Sequence, residues 1–448
     1  MQSRAFVVAV AIFATGPQTT GAVAQDSPVR AAPKPNVVLI MMDDLGYGDL
    51  GSYGARDVRT PHLDRLARGG VRLTNAYSNG HVCSPTRAAL ISGRYPQRFG
   101  IETALPGPTQ DTTLGLPVTG TSLPALLKAN GFATGLVGKW HLGSRREFSP
   151  HKHGFDEFFG FLAGAHDYYL GFVFDDTTRV PLNGYLTDEI TNRALRFIER
   201  HGDRPFFLEV AYNAVHWPFQ PPDRPPTDAE RRRAPQPLVQ MPDDSVPATR
   251  QDYVRMLERA DDGVGKILAA LEQHGLARNT LVIFTNDNGG EWLSRNAPFF
   301  HRKGTLWEGG IRVPLILRWP EVLPAGKTST QVALTMDLTA SVLAATGTKV
   351  PENYQPDGVN ILPVLRGQVP RLERRVFWRI DTSVRRQRAV RSGRWKLLID
   401  GNQLLLFDLE NDPGERRDLA AQHPDKVATL RQLYLAWEND IKQERQSR

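Results

Sequence analysis

Four apolar runs, each closing in polar residues, set the outline of this chain. Residues 36–42 end in Asp43-Asp44, and residues 133–137 run into Gly138-Lys139-Trp140-His141. Residues 206–212 lead to Asn213-Ala214-Val215-His216, and residues 281–285 to Asn286-Asp287-Asn288-Gly289. Runs so nearly continuous in apolar character suit strands buried on both faces, as in a parallel sheet. Helical patterns lie between them at residues 122–130, 186–200 and 251–274, the last with apolar residues at helical spacing. The alternation predicts an α/β fold with a doubly wound sheet. Sites in open α/β sheets form beyond the carboxyl ends of the strands, so these four polar segments are expected to converge on one edge.

The pattern changes from about residue 376. Short strand-like runs at 376–380, 394–400 and 404–409, then a helical stretch at 426–442, predict a small C-terminal antiparallel sheet with one helix packed on it. The expected division is a large domain over 34–365 and an α+β subdomain over 366–448. Residues 221–247, rich in Pro, Asp and Arg, read as a long surface loop bordering the site. At the other end, Arg4 precedes an apolar run over 5–15, and Ala22-Val23-Ala24 stands before Gln25. That is the grammar of a signal peptide over residues 1–24. The apolar run is shorter than the roughly 20 residues that span a bilayer. The expectation is a secreted or periplasmic protein with no membrane attachment after cleavage.

Composition narrows this little further. Apolar residues at 40% and charged residues at 23% describe an ordinary globular chain. The formal charge of +7 suits a polyanionic substrate, but the charges are dispersed and read mainly as a solvated surface. No nucleic-acid module is present, so nucleic acid is excluded as a partner.

Candidate chemistry begins with the one cysteine of the chain, Cys83, which has no partner for an intramolecular disulfide. It opens Cys83-Ser84-Pro85-Thr86-Arg87, where Ser84 and Pro85 suit a helix cap and first turn and Ala88-Ala89-Leu90-Ile91 continues as helix. Cys83 then faces a helix N-terminus, which favours developing negative charge. Asp43, Asp44, Asp287 and Asn288 supply only oxygen donors. Oxygen donors suit a hard cation such as calcium or magnesium, although each pair also reads as a turn former or cap.

With Ala88-Ala89-Leu90 and Gly93-Arg94 behind it, the Cys83–Arg87 motif resembles the signature of the type I sulfatases, formylglycine-dependent and arylsulfatase-like members of the alkaline-phosphatase-like superfamily. The resemblance runs from Asn36 to about Glu415 and includes the late segment His301-Arg302-Lys303-Gly304-Thr305-Leu306-Trp307-Glu308-Gly309-Gly310. It implies an alkaline-phosphatase-like α/β/α sandwich with the smaller C-terminal antiparallel sheet plus helix, and a catalytic domain over 34–365. It further implies that a maturation enzyme oxidises Cys83 to formylglycine (3-oxoalanine). One hydroxyl of the hydrated aldehyde attacks sulfur and the other later expels sulfate. By the same resemblance, one calcium ion is held by Asp43, Asp44, Asp287, Asn288 and residue 83. Arg87 and Lys139 hold the diol and the metal-side oxygens, His141 bonds the diol, and His216 and Lys303, with Lys139, contact the sulfate and its bridging oxygen.

The implied function is hydrolysis of a sulfate ester by S–O cleavage, with a sulfated glycan or small molecule as substrate. Gly164-Ala165-His166-Asp167-Tyr168-Tyr169, Trp217, Trp292, Arg295 and Trp307 are candidate sugar contacts, since aromatic faces suit pyranose rings, and equally candidate core residues. Two alternatives stand beside this reading. One is a phosphate or phosphonate ester hydrolase of the same superfamily, whose two-zinc members use Asp-His metal pairs and a Thr or Ser nucleophile. The other is a non-catalytic glycan-binding homologue with Cys83 unconverted.

Overall fold

The computed structural model describes residues 34–108, 111–225, 227 and 248–447. The expected signal peptide and most of the 221–247 loop lie outside the described residues. Strands β1 (Asn36–Met42), β2 (Val71–Leu73), β3 (Ala76–Tyr77), β4 (Ala133–Lys139), β5 (Glu157–Phe161) and β6 (Phe172–Asp175) come first in the chain. They are followed by β7 (Thr178–Pro181), β8 (Phe206–Ala211), β9 (Thr280–Asn286), β10 (Leu315–Arg318) and β11 (Lys327–Ser329). Ten of these form one sheet in the order β11-β2-β10-β9-β1-β8-β4-β5-β6-β7. The central strands β9, β1, β8, β4 and β5 are all mutually parallel. Antiparallel pairings appear only toward the edges, at β9–β10, β10–β2, β5–β6 and β6–β7.

Strand β1 explains the layering. Every one of its residues is buried, and alternate side chains enter opposite cores. Val38, Ile40 and Met42 join Leu208, Val210 and Phe284 against the helices Leu186–His201 and Arg250–Gln273, which contribute Ile190, Phe197, Leu257 and Val264. Val37, Leu39 and Met41 join Leu281 and Ile283 on the other face. There they meet Leu90, Leu126 and Leu338 of the helices Cys83–Ser92, Leu123–Ala129 and Thr335–Ala345. The result is the expected α/β/α sandwich. Burying each such Leu, Ile or Val contributes roughly 1.5–3 kcal/mol, so the central strands fix the edge on which the polar segments meet.

The C-terminal sheet has four strands rather than the three read from the pattern. Strands β12 (Ala333–Leu334) and β3 form a separate short ladder. Then β13 (Arg375–Asp381), β14 (Arg386–Ser392), β15 (Trp395–Asp400) and β16 (Gln403–Asp408) make an antiparallel meander. Helix Pro424–Ser447 covers it through Leu430, Tyr434, Trp437 and Ile441, spaced as one helical stripe. The same core takes in Tyr77, Ala89, Leu306 and Ile311 from the larger part of the chain, and Trp378 Nε1 donates to Ser78 O at 2.8 Å.

A buried ion cluster adds a second tether. Lys396 Nζ on β15 lies 2.9 Å from both Glu308 Oε1 and Glu415 Oε1, with all three side chains fully buried. Glu308 also accepts from Tyr77 OH at 2.7 Å and from Arg312 Nη1 at 2.8 Å. Removing one partner of a buried pair leaves uncompensated charge. Lys396→Met is therefore expected to cost about 3–5 kcal/mol in urea unfolding. An unchanged midpoint would remove this cluster from the account.

Candidate active site

Because β1, β4, β8 and β9 are parallel, the residues that follow them share one edge of the sheet. Asp43 and Asp44 follow β1, Lys139 closes β4 with His141 two residues on, His216 comes after β8, and Asp287 and Asn288 follow β9. The backbone bends sharply at two of these points. Asp44 (φ 62°) and His141 (φ 57°) are left-handed, a conformation that Asp and His tolerate better than most residues and that costs of order 1–3 kcal/mol. Gly138 precedes Lys139 at φ 113°, and a Cβ there would stand 1.8 Å from Ala211 O, so only glycine lets β4 reach β8 at this point. Asn286 brackets the turn after β1, accepting from Leu45 N at 3.2 Å and donating to Leu45 O at 2.9 Å.

Cys83 opens a ten-residue helix that is buried throughout. The expected cap does not form: the N-cap position is Val82, with no side-chain cap bond. Ser84 instead ties two remote segments together, donating to His141 O at 2.9 Å and accepting from Leu105 N at 2.9 Å. The chain bends left-handed at His141, and the Ser84 hydroxyl holds that bend against the helix carrying Cys83.

All ten residues proposed from the sequence come together at this edge. Cys83 Sγ lies 3.5 Å from Asp43 Oδ1, and Lys139 Nζ bonds Asp43 Oδ2. Lys303 Nζ donates to Asp44 Oδ2 at 2.6 Å, and Asn288 Nδ2 to Asp44 Oδ1 at 2.7 Å. Arg87 meets one oxygen of Asp287 twice, through Nη2 at 2.8 Å and Nε at 3.0 Å, and its Nη1 donates to Lys139 O at 3.2 Å. His216 Nε2 is 3.6 Å from Asp44 Oδ2. These groups are nearly or fully buried; even Lys303 is only 10% exposed.

Burial and charge set the protonation states. Burial, with Asp287 nearby, pushes Asp43 up to about 7 against the pull of Lys139. Burial also opposes ionisation of Asp44, but Lys303, His216 and Lys139 together hold its carboxyl below the ordinary range. Burial drives the Cys83 thiol up to about 12 despite Lys139 and Lys303, so an unmodified cysteine here is a thiol and not a thiolate at neutral pH. Burial, reinforced by Lys139, keeps His141 neutral; burial outweighs Asp44 to keep His216 neutral. Carbonyl partners then fix the tautomers, since a carbonyl only accepts. His141 Nε2 donates to Leu105 O at 3.0 Å, and its buried Nδ1 is left without a partner. His216 Nδ1 donates to Trp217 O at 2.6 Å, leaving Nε2 with a lone pair.

The donors fit a hard cation. Asp287 Oδ1 and Asn288 Oδ1 are buried without any hydrogen-bond partner. Unsatisfied buried oxygens are costly, and a cation would satisfy both. Asp43, Asp44, Cys83 and His216 bring ligand atoms within 4.8 Å of one another. His216 thus joins a cluster that the sequence reading expected to be free of histidine, because its segment leaves β8 directly beside β1.

The candidate sugar contacts divide. Tyr168 is fully buried with its OH on His216 O at 2.9 Å, and Tyr169 OH donates to Pro221 O at 2.7 Å, so both act as supports. Trp307 packs against Phe300 and Phe407, with ring centroids 4.9 and 5.4 Å away. His166 is buried with both ring nitrogens on backbone carbonyls, and Arg295 pairs with Asp57 at 3.0 Å. Trp217 stacks obliquely on His216 at 4.9 Å, and Trp292, 52% exposed, keeps an open face. Sequence reasoning missed Ser84 in its tying role and Asn286. Each is a small polar residue whose importance lies in a bond to distant backbone or in burial, neither of which leaves a local pattern.

Comparison with known proteins agrees with this geometry. A family model described as Sulfatase matches residues 35–348, and one described as N-sulphoglucosamine sulphohydrolase, C-terminal, matches residues 297–441. The chain is 38% identical over 376 residues to N-acetylgalactosamine-6-sulfatase of Mus musculus, covering 77% of this chain and 68% of that one. It is 32% identical over 474 residues to arylsulfatase A of Bos taurus, covering 91% and 88%. Among solved structures, Ps i-CgsB superposes with a TM-score of 0.81 at 32% identity, covering 90% of this chain and 92% of the other, and it has also been solved with k-i-k-neocarrahexaose. The chain belongs to the sulfatase family and is a sulfuric ester hydrolase.

Proposed function

We propose that this protein removes sulfate from sulfated carbohydrates outside the cytoplasm, using Cys83 oxidised to formylglycine and one calcium ion. The observation that carries the reading is Cys83 itself, a buried thiol 3.5 Å from Asp43 within a ring of carboxylates and cations. As a thiol it is a poor nucleophile, which is why conversion matters. Formylglycine supplies a hydrated aldehyde with two hydroxyls, and calcium, when bound, supplies charge that orients sulfate oxygens.

Asp43, Asp44, Asp287 and Asn288 are the residues that would hold the ion, together with an oxygen at position 83. Asp43, Asp44 and Asp287 face Arg87, Lys139 and Lys303, so formal charges already balance. A divalent ion on the carboxylates leaves the site with excess positive charge, complementary to a sulfate ester. With the carboxylates so neutralised, Lys139 and Lys303, now bonded to Asp43 and Asp44, could also turn donors toward sulfate oxygens. Arg87 stays locked on Asp287 and orients it. His141 offers its unpartnered Nδ1 as acceptor for a hydroxyl proton at position 83. Lys303, cationic through Asp44, is the donor for the departing alcohol oxygen, and His216 Nε2 closes the same side. Water is consumed, and the products are the alcohol and sulfate.

The carbohydrate preference rests on the sulfated sugars named for the relatives and on the open face of Trp292. Export rests on the residue pattern over 1–24, and no described helix is long and apolar enough to cross a membrane. The maturation enzyme is the one transient partner. The test is ion-chromatographic sulfate release by protein co-produced with a formylglycine-generating enzyme, from sulfated galactose and N-acetylgalactosamine oligosaccharides, aryl sulfates and phosphate esters. Sulfate release from the sugars that a calcium chelator suppresses and added calcium restores is expected. Faster phosphate than sulfate release would favour the phosphoester alternative.

A further inference from the structure

The hairpin joining β13 to β14 leaves the C-terminal sheet and docks on the loop that carries Lys303. Arg385 Nη1 donates to Gly304 O at 2.6 Å, and Leu306 N donates to Gln387 Oε1 at 2.8 Å. Gly304 N donates in turn to His81 O at 2.9 Å, so His81 and Arg385 flank a single residue adjoining Lys303. The turn is pinned as well: Thr382 N donates to Arg385 O at 3.0 Å, and Arg385 N to Thr382 Oγ1 at 3.1 Å. Arg385 is therefore held in place while most of its five N–H donors stay unused.

Its charge is also unspent. Arg87, Lys139 and Lys303 are each paired with a carboxylate, whereas neither Arg385 nor the adjacent Arg302 has an ion pair among the described residues. His81 is 95% buried, and its Nδ1 has no partner. Positive charge and an idle ring nitrogen thus meet beside the proposed sulfate site, on its Lys303 side.

We propose that Arg385, docked with His81 on the loop that carries Arg302 and Lys303, binds a second anionic substituent of the substrate, a sulfate or a carboxylate, next to the ester that is cleaved. This rests on the reading of the site as a sulfate-ester site. A guanidinium is suited to it, because its planar fork matches either oxyanion. It also gives the C-terminal sheet a part in substrate choice.

The test is calorimetric binding to Cys83→Ala protein, which holds substrate without turnover. The ligands are a monosulfated disaccharide, its disulfated counterpart, and a monosulfated disaccharide carrying a uronic acid. One of the two dianionic ligands is expected to bind about tenfold or more tightly than the neutral-sugar monosulfate, and which one does identifies the substituent. Adding Arg385→Gln is expected to erase that preference, while Arg386→Gln, exposed and paired with Asp381, leaves it intact. Equal affinities in the parent protein, or equal weakening of all ligands by Arg385→Gln, overturns the proposal; the latter result reduces Arg385 to a prop for Gly304. Sulfate release by the Cys83 protein is measured separately. A binding preference without release supports the subsite and refutes the hydrolase reading alone.

Discussion

Cys83→Ser protein is expected to lose steady-state sulfate release by at least about 10³-fold while keeping its fold. The side chains are nearly the same size, and the site around position 83 is fully buried but polar, so thermal unfolding should move by less than about 1 kcal/mol. The difference is chemical. A serine has one hydroxyl: it can take a sulfuryl group, but it has no second hydroxyl on the same carbon to expel it. The expected trace is at most one equivalent of alcohol product per protein, followed by arrest. Continued turnover at a rate near that of the parent would mean that position 83 does not need two oxygens.

The second large effect is expected at Asp287, whose two oxygens are divided between tasks. Oδ2 receives both Arg87 bonds, at 2.8 and 3.0 Å, while Oδ1 is buried without a partner. Asp287→Ala leaves the Arg87 guanidinium, only 2% exposed, with its bond to Lys139 O at 3.2 Å and no carboxylate nearer than an Asp43 oxygen at 3.9 Å. Breaking a buried pair in this way is expected to cost about 3–5 kcal/mol. The same change removes a proposed ligand to the ion. Calcium at about 100 times its dissociation constant is expected to stabilise the unmutated protein by about 2.7 kcal/mol and Asp287→Ala protein hardly at all. Equal calcium stabilisation in both would take Asp287 out of the ion site while leaving its pairing with Arg87 intact.

Much of the site was legible because Asp43, Asp44, Lys139, His141, His216, Asp287 and Asn288 stand at or just past the ends of apolar runs, while Cys83, Arg87 and Lys303 came from the motifs shared with the sulfatases. Asp43-Asp44 and Asp287-Asn288 follow strands buried on both faces, and such strands announce themselves by near-continuous hydrophobicity. Strand β14 was not legible. Its Gln387 and Arg391 are buried yet polar, satisfied by Leu306, Asp400, Gly393 and Tyr77, so no apolar alternation marks it. The same reason hid the Ser84 tie to His141 and Leu105. The motif predicted a cap at Ser84, but the cap position is Val82, two residues earlier, and the hydroxyl serves segments 57 and 21 residues away. His216 was expected at this edge as a sulfate contact; its place among the ligand atoms of the acidic cluster was not, because that depends on β8 lying directly beside β1 rather than on any spacing along the chain.

The central claim is that the atom poised beside Asp43 is the oxygen of an aldehyde hydrate rather than a sulfur. The most direct measurement is peptide mass spectrometry across residue 83 of the mature protein, produced with a competent maturation enzyme and compared before and after borohydride reduction. The account predicts a residue that has lost sulfur, reads as an aldehyde and reduces to serine. An intact thiol in protein that nonetheless releases sulfate would contradict it.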